Sequence, residues 1–376
     1  MSNRRTTNIH STIPNGTSEE IDTSESDDEM QNVRKVLKKR LVMSDSSSVT
    51  ENSDSEQELS ENTSKSKKKK KMHWIKRSFV PPPSPFTGSF PPPPIDSEPE
   101  PIDYFCSMFG KESFNILKDQ SNLYSVQTNP NRPANISDTE IRQFIGILII
   151  SGVYSFPQQR FYWMDSTRIQ SIASVMSRDR FLSIKKCFHV VDNTNKPDQN
   201  DPNYDRAFKV RPLLNIVKEN FRKIPKEENL CVDEQIIPFK GKSVMKQHMP
   251  NKPNRWGYKM FLLAGGESGL CYDFVLYTGK SNSTEYGFCT DITLTLCETV
   301  PPMMNHKVYY DNYFTTIRLQ VELKKLGIFS VGTVRANRLP DLTMKDEKQL
   351  KQEGLVATDY RITYVDGVEL CVTWAF

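Results

Sequence analysis

The stretch CVDEQIIPFKGKSVMKQHMPNKPNRWGYK, Cys231 to Lys259, decides how this chain is read. It opens as an apolar, strand-like run with an acid, Asp233, set inside it. Cations then crowd the line: Lys240, Lys242, Lys246, Lys252, Arg255 and Lys259, interleaved with Phe239, Trp256 and Tyr258. Lys and Arg contacts to phosphate supply salt-dependent affinity that ignores base sequence. A carboxylate on a strand beside such a loop suits metal-assisted chemistry on a phosphate backbone. Each residue also has a plainer reading. An acid on a strand often ends a sheet or pairs with a nearby cation, and Trp256 packs a hairpin as readily as it stacks on an unpaired base.

A second acid, Asp311, ends another strand-like run in KVYYDNYFTT. Between and beyond these two runs the pattern gives strands at 230–239, 258–264, 271–277, 308–310 and 328–334, with GGESG (Gly265 to Gly269) as a hairpin turn. Helical patterns fill 284–300 and the segment from Ile317 to a stop at Gly327. The order β-β-β-α-β-α-β predicts a mixed sheet flanked by helices. If the first and fourth strands are neighbours, Asp233 and Asp311 come close enough to share divalent ions. Two metals about 3.5–4 Å apart activate the attacking oxygen and stabilise the leaving one in phosphoryl transfer. Mg²⁺ suits such a site because it prefers oxygen ligands and keeps exchangeable waters. The tail YRITYVDGVELCVTW reads as a further hairpin, with Asp366-Gly367 as its two-residue turn.

Upstream, apolar residues recur at helical spacing. Ile102, Phe105, Met108 and Phe109 form one stripe. Ser137 and Glu140 form a capping box ahead of Ile141, Phe144, Ile145 and Leu148. Phe181, Ile184 and Phe188 mark a third helix, and Val210, Leu213, Leu214, Val217 and Phe221 a fourth. These stripes are assigned to packing. The segment from Phe79 to Pro101 is Pro-rich and reads as a spacer.

The first aromatic residue is Trp74. The segment before it, rich in Ser, Asp, Glu, Lys and Asn, cannot bury enough apolar surface to offset its ordering entropy and is expected to be disordered. Within it, acidic and basic blocks alternate, and the run Lys65 to Arg77 resembles a nuclear-import signal or a nucleic-acid-contacting arm. The net charge of +4 is too modest to argue nucleic-acid binding by itself. The 7 cysteines show no CxxC spacing, which argues against a disulfide framework or a zinc site and for reduced thiols. The apolar run Phe144 to Val153 is too short to span a bilayer, so a membrane role is not expected.

Three ordered motifs carry a family resemblance: DEQIIPFKGKSVMKQHMPNKPNRWGYK, YDFVLYTGK (Tyr272 to Lys280) and YYDNYFTT (Tyr309 to Thr316). Together they resemble the piggyBac transposases and their transposable-element-derived relatives, over roughly Pro101 to Trp374. The resemblance implies an RNase H-like core with three aspartates on a Mg²⁺ site, DNA as partner, hairpin intermediates and integration at TTAA. The family's first two catalytic, metal-holding aspartates fall on Asp233 and Asp311. Its third lies in a GGVDxxD motif that this sequence does not contain, and the context of Asp346 and Glu347 does not match it. The family's Cys-rich domain has no counterpart either.

The expected organisation is therefore mixed α/β, an incomplete RNase H-like core preceded by a helical domain and a disordered tail. Residues 1–78 form the tail, 79–101 the linker and 102–225 a helical dimerisation and DNA-binding-like domain; 226–335 form the partial core and 336–376 the start of an insertion domain. Lys240, Lys242, Lys246, Lys252, Arg255 and Lys259 are the expected DNA contacts. The expected function is a nuclear, transposase-derived DNA-binding protein without transposition of its own. It is open to homodimerisation and to nuclear protein partners through its tail. Two alternatives stand beside it: an incomplete stretch of an active transposase that cuts and transfers strands with a metal, and an interaction scaffold that does not bind DNA.

Overall fold

The computed structural model describes residues 71–89, 99–250, 252–279, 284–354 and 357–375. The acidic blocks, residues 65–70 of the basic run, Lys280 and Phe376 lie outside the described residues. Helices come first: α1 (Pro101–Phe109), α2 (Lys111–Thr128), α3 (Asp138–Val153), α4 (Gln170–Ala173), α5 (Arg178–Cys187) and α6 (Arg211–Arg222). The capping box forms as expected at the head of α3, where the Ser137 side chain accepts from the Glu140 N–H and Glu140 reaches back to the Ser137 N–H. Glu140 does a second job. It takes the Arg180 guanidinium of α5 at 2.6 Å, and that bond holds its carboxyl down at about 2 against the opposing effect of burial. Phe114, Leu117, Ile141, Phe144, Ile147, Phe181 and Ile184 are all buried in one core. The stripes on α1 and α6 pack without being fully buried: Phe105, Phe109 and Leu213 lie partly buried against this core.

The sheet follows. Its strands are β1 (Asn229–Pro238), β2 (Gln247–His248), β3 (Trp256–Gly265), β4 (Cys271–Leu276), β5 (Lys307–Tyr310) and β6 (Phe329–Gly332). They run in the order β2-β3-β1-β5-β6, with β4 on the other side of part of β3. β3 is antiparallel to β1, β2 and β4, whereas β5 is parallel to its neighbours β1 and β6. The sheet is thus mixed, as the element order predicted. The short strand β2 falls between the expected strands at 230–239 and 258–264, where no strand is expected. The helix expected over 284–300 is shorter, α7 (Phe288–Cys297), and α8 (Ile317–Lys325) joins β5 to β6.

Alternation along the strands sorts the side chains. Leu230 and Val232 of β1, Phe261 and Leu263 of β3, and Val308 and Tyr310 of β5 pack with Leu296 of α7 and Leu319 and Leu323 of α8. Each fully buried side chain of this kind stabilises the fold by about 1.5–3 kcal/mol. On the opposite face Tyr309 and Val331, register partners on β5 and β6, remain exposed.

Helix α6 ties the helices to the sheet through a buried charge. The Asp273 side chain on β4 is fully buried; it takes Arg222 Nε at 2.9 Å and Lys218 Nζ at 3.2 Å. Phe221 meets Phe274 edge-on beside this pair, with ring centroids 5.9 Å apart.

The C-terminal segment holds α9 (Glu347–Glu353) and the hairpin β7 (Thr358–Val365) and β8 (Val368–Ala375). Its turn has Asp366 at φ 49° and Gly367 at φ 79°, the left-handed pair that an Asp-Gly turn supplies. The tail expectation needs correction here. Residues 71–78 are not free but run extended along the hairpin, with Ile75 pairing antiparallel to Ile362 and Lys76 reaching the fully buried Asp359 at 3.2 Å. Arg77 bonds Glu369 and Tyr364. Part of the Pro-rich spacer docks too: Phe86 lies edge-on against buried His306, and the Pro85 carbonyl accepts from Asn305. Composition averaged over a long polar tail hides a short anchored stretch at its end.

Candidate nucleic-acid and metal site

The parallel ladder between β1 and β5 fixes the acids. Its last partners are Val232 and Tyr310, so the next residue on each strand is an aspartate, Asp233 on β1 and Asp311 just past β5. Neighbouring strands lie about 4.8 Å apart, so the two carboxylates leave adjacent backbone positions. Both residues are exposed. Each anchors one oxygen on the main chain: Asp233 Oδ1 accepts the Glu234 N–H and Asp311 Oδ1 the Tyr313 N–H, both at 2.8 Å. Among the described residues no hydrogen bond or ion pair engages the second oxygen of either. Hard carboxylate oxygens of this sort fit a Mg²⁺ that keeps most of its waters. Among the described residues no third His, Cys, Asp or Glu joins them in a metal-ligating cluster.

Gly332 matters to this geometry. A β-carbon there would stand 2.4 Å from Thr315 Oγ1 and 2.6 Å from the Tyr310 ring, so only glycine lets β6 close on the turn that follows Asp311.

The cations separate into three groups. Lys240, Lys242 and Arg255 are exposed on the loop and hairpin that follow β1. Lys246 is half-buried there, its Nζ 2.8 Å from the Gly241 carbonyl and 5.1 Å from the centre of the Trp256 ring. Trp256 is 51% exposed and His248 lies against it, ring centroids 4.3 Å apart, which leaves aromatic surface open beside the cations. Lys252 is different. Its ammonium sits 3.1 Å from Glu234 Oε1, and the Glu234 carboxylate, with smaller contributions from Asp233 and Asp311, raises its pKa. Lys252 is thus the counter-charge of the acidic strand end. Glu234 Oε2 is buried without a hydrogen-bond partner, so that pairing leaves the carboxylate half satisfied.

Lys259 requires a correction. It is buried on β3, with Nζ 4.4 Å from the centre of the Tyr313 ring and 4.8 Å from that of Phe261. An ammonium packed over two rings is a cation–π element of the core rather than an outward-facing contact. Sequence spacing gave no hint of this, because Lys259 follows the other cations without a break.

The family model described as Transposase IS4 matches residues 100–371. Human PiggyBac transposable element-derived protein 3 is 32% identical over 260 residues, which is 67% of this chain and 42% of that protein. Human PiggyBac transposable element-derived protein 2 is 28% identical over 347 residues, 89% of this chain and 57% of that protein. This chain belongs to the piggyBac-type transposase family. It spans about half the length of the curated relatives it matches. Its fold is similar to that of a piggyBac transposase solved by cryo-EM as a synaptic complex with hairpin DNA, with a TM-score of 0.59 at 21% identity, covering 70% of this chain and 57% of that one.

In this piggyBac-type chain the structure also shows residues that sequence reasoning missed. Glu234 adjoins Asp233 in the quoted motif, and only the fold reveals it as the partner of Lys252. Arg335 and Arg338 bond the turn after Asp311 from a segment with no motif of its own. All 7 cysteines are free thiols, Cys187 and Cys297 buried; burial pushes Cys297 up to about 12. No helix among the described residues is long and apolar enough to cross a membrane.

Proposed function

We propose that this chain is a transposase-derived DNA-binding protein of the nucleus, built on an RNase H-like core, in which Asp233 and Asp311 hold Mg²⁺ and the basic hairpin beside them takes the phosphate backbone. The carrying observation is the parallel register Val232–Tyr310, which sets the two aspartates on adjacent strands. Lys240, Lys242, Lys246 and Arg255 supply the phosphate contacts, and Trp256 the surface on which an unpaired base stacks. Lys252, paired with Glu234, is the counter-charge beside the acid pair and is not counted among the phosphate contacts. A bound divalent ion supplies Lewis acidity at the phosphoryl oxygens. Asp233 and Asp311 supply two carboxylates for that ion, and the chain binds DNA and metal through them and the hairpin. The synaptic DNA complex of the similar structure is in keeping with a DNA partner.

The test is a fluorescence-anisotropy titration of labelled duplex DNA between 50 and 200 mM salt. Four phosphate contacts give a slope of log K against log salt of about −3.6. No binding at the lowest salt would replace this reading by a scaffold that does not touch DNA.

A further inference from the structure

We propose that Arg338 is a positioning residue for Asp311, and that the N-terminal arm, residues 72–77, braces it from behind. The proposal rests on Asp233 and Asp311 being the working pair, and its geometry is independent of any metal. The turn from Asp311 to Thr316 joins β5 to α8, and Phe314 at its centre is fully buried. At its ends the Asp311 carbonyl accepts the Phe314 N–H and the Thr316 carbonyl the Gln320 N–H. Arg338 Nη1 answers three carbonyls between them, lying 2.7 Å from the Asn312 oxygen, 3.0 Å from that of Tyr313 and 3.1 Å from that of Thr315. One nitrogen carries two hydrogens, so the three carbonyls share them and are drawn around a single point. Arg335 Nε adds a bond to Asn312 Oδ1 at 3.0 Å. The Asp311 carboxylate is itself fixed by the Tyr313 N–H of this turn, so whatever sets the turn sets the carboxylate.

Arg338 closes a 3₁₀ turn, Ala336–Arg338, followed by buried Leu339. The next two residues are held by the arm. Trp74 Nε1 donates to the Pro340 carbonyl and the Met72 N–H to Asp341 Oδ2, both at 2.9 Å. The arm is anchored in turn by the two Ile75–Ile362 backbone bonds, each 2.9 Å, and by Lys76 on buried Asp359. Hydrogen bonds from the arm to Pro340 and Asp341, and from Arg338 two residues before Pro340, thus connect the arm through one short segment of chain to the turn that follows Asp311. The arm directly follows the lysine run.

The experiment is hydrogen–deuterium exchange on the full chain, following residues 311–316, with R338M, R338K and W74F; the last keeps a ring and loses the donor. R338M is expected to speed exchange at 311–316 about tenfold or more while the amides of α8 stay protected. R338K, which keeps the charge without the planar fork, is expected to recover only part of the protection. W74F is expected to give a smaller increase at the same amides. Unchanged exchange at 311–316 in R338M and R338K overturns the positioning role, and unchanged exchange in W74F alone overturns the brace. A parallel Mn²⁺ titration separates this from the functional reading. R338M should weaken Mn²⁺ binding by about 10–100-fold, as loss of an outer support does. A wild-type chain that binds no Mn²⁺ would sink the metal reading while the exchange data still decide the clamp.

Discussion

Replacing Lys240, Lys242, Lys246 and Arg255 together with Ala should flatten the salt dependence of DNA binding by about 3 to 4 units of slope and weaken affinity at 50 mM salt at least about tenfold. Each cation that neutralises a phosphate releases condensed counterions, and each contributes about 0.9 to the slope on duplex DNA. These four side chains lie on one loop and hairpin and none is tied to a carboxylate among the described ion pairs. Lys252 is left out deliberately. Removing it would strip the Glu234 carboxylate of its partner and raise the negative charge beside Asp233 and Asp311, mixing a phosphate effect with a metal effect. Anisotropy titrations of wild type and the fourfold variant at matched salt read the difference. An unchanged slope would remove the hairpin from the DNA surface.

Asp273→Ala should destabilise the fold by about 3–5 kcal/mol, the usual cost of removing one partner of a buried ion pair. The Asp273 side chain is fully buried, and its loss leaves Arg222 and Lys218 facing one another with no carboxylate between them. The nearby Lys226 is buried as well, and desolvation already lowers its pKa against the pull of Asp273. The effect falls where α6 meets β4, so the helices and the sheet lose their shared anchor together. Urea unfolding should show a lower midpoint with little change in m. A loss below about 1 kcal/mol would mean that the pair is solvated and of surface type.

Much of this was legible in the chain. The apolar alternation around Asp233, the Gly265–Gly269 turn, the Asp366-Gly367 hairpin and the Ser137–Glu140 cap are local signals, each carried by residues within a few positions of one another. The pairing of β1 with β5 was a conditional inference from element order, because a parallel neighbour is set by the crossover between strands and not by either strand alone. The rest is long-range. Asp273 sits in a motif that served only for resemblance, and nothing in YDFVLY says that its carboxylate meets a helix some 50 residues earlier. Lys259 shares a charge run with exposed cations, yet the strand period turns it inward onto Tyr313. The docking of residues 71–78 is not legible from composition, which averages over its window, whereas one bridge at Ile75 and a few ion pairs suffice to hold a short segment.

The central claim is that Asp233 and Asp311 form one divalent-ion site. Its most direct test is an electron paramagnetic resonance titration with Mn²⁺, an ion that takes the same oxygen ligands as Mg²⁺. The wild-type chain should bind Mn²⁺ saturably, and D233N and D311N should each weaken it by about 100-fold or more, beyond the 10–100-fold that loss of an outer support causes. Equal binding by the wild type and both variants would contradict the claim.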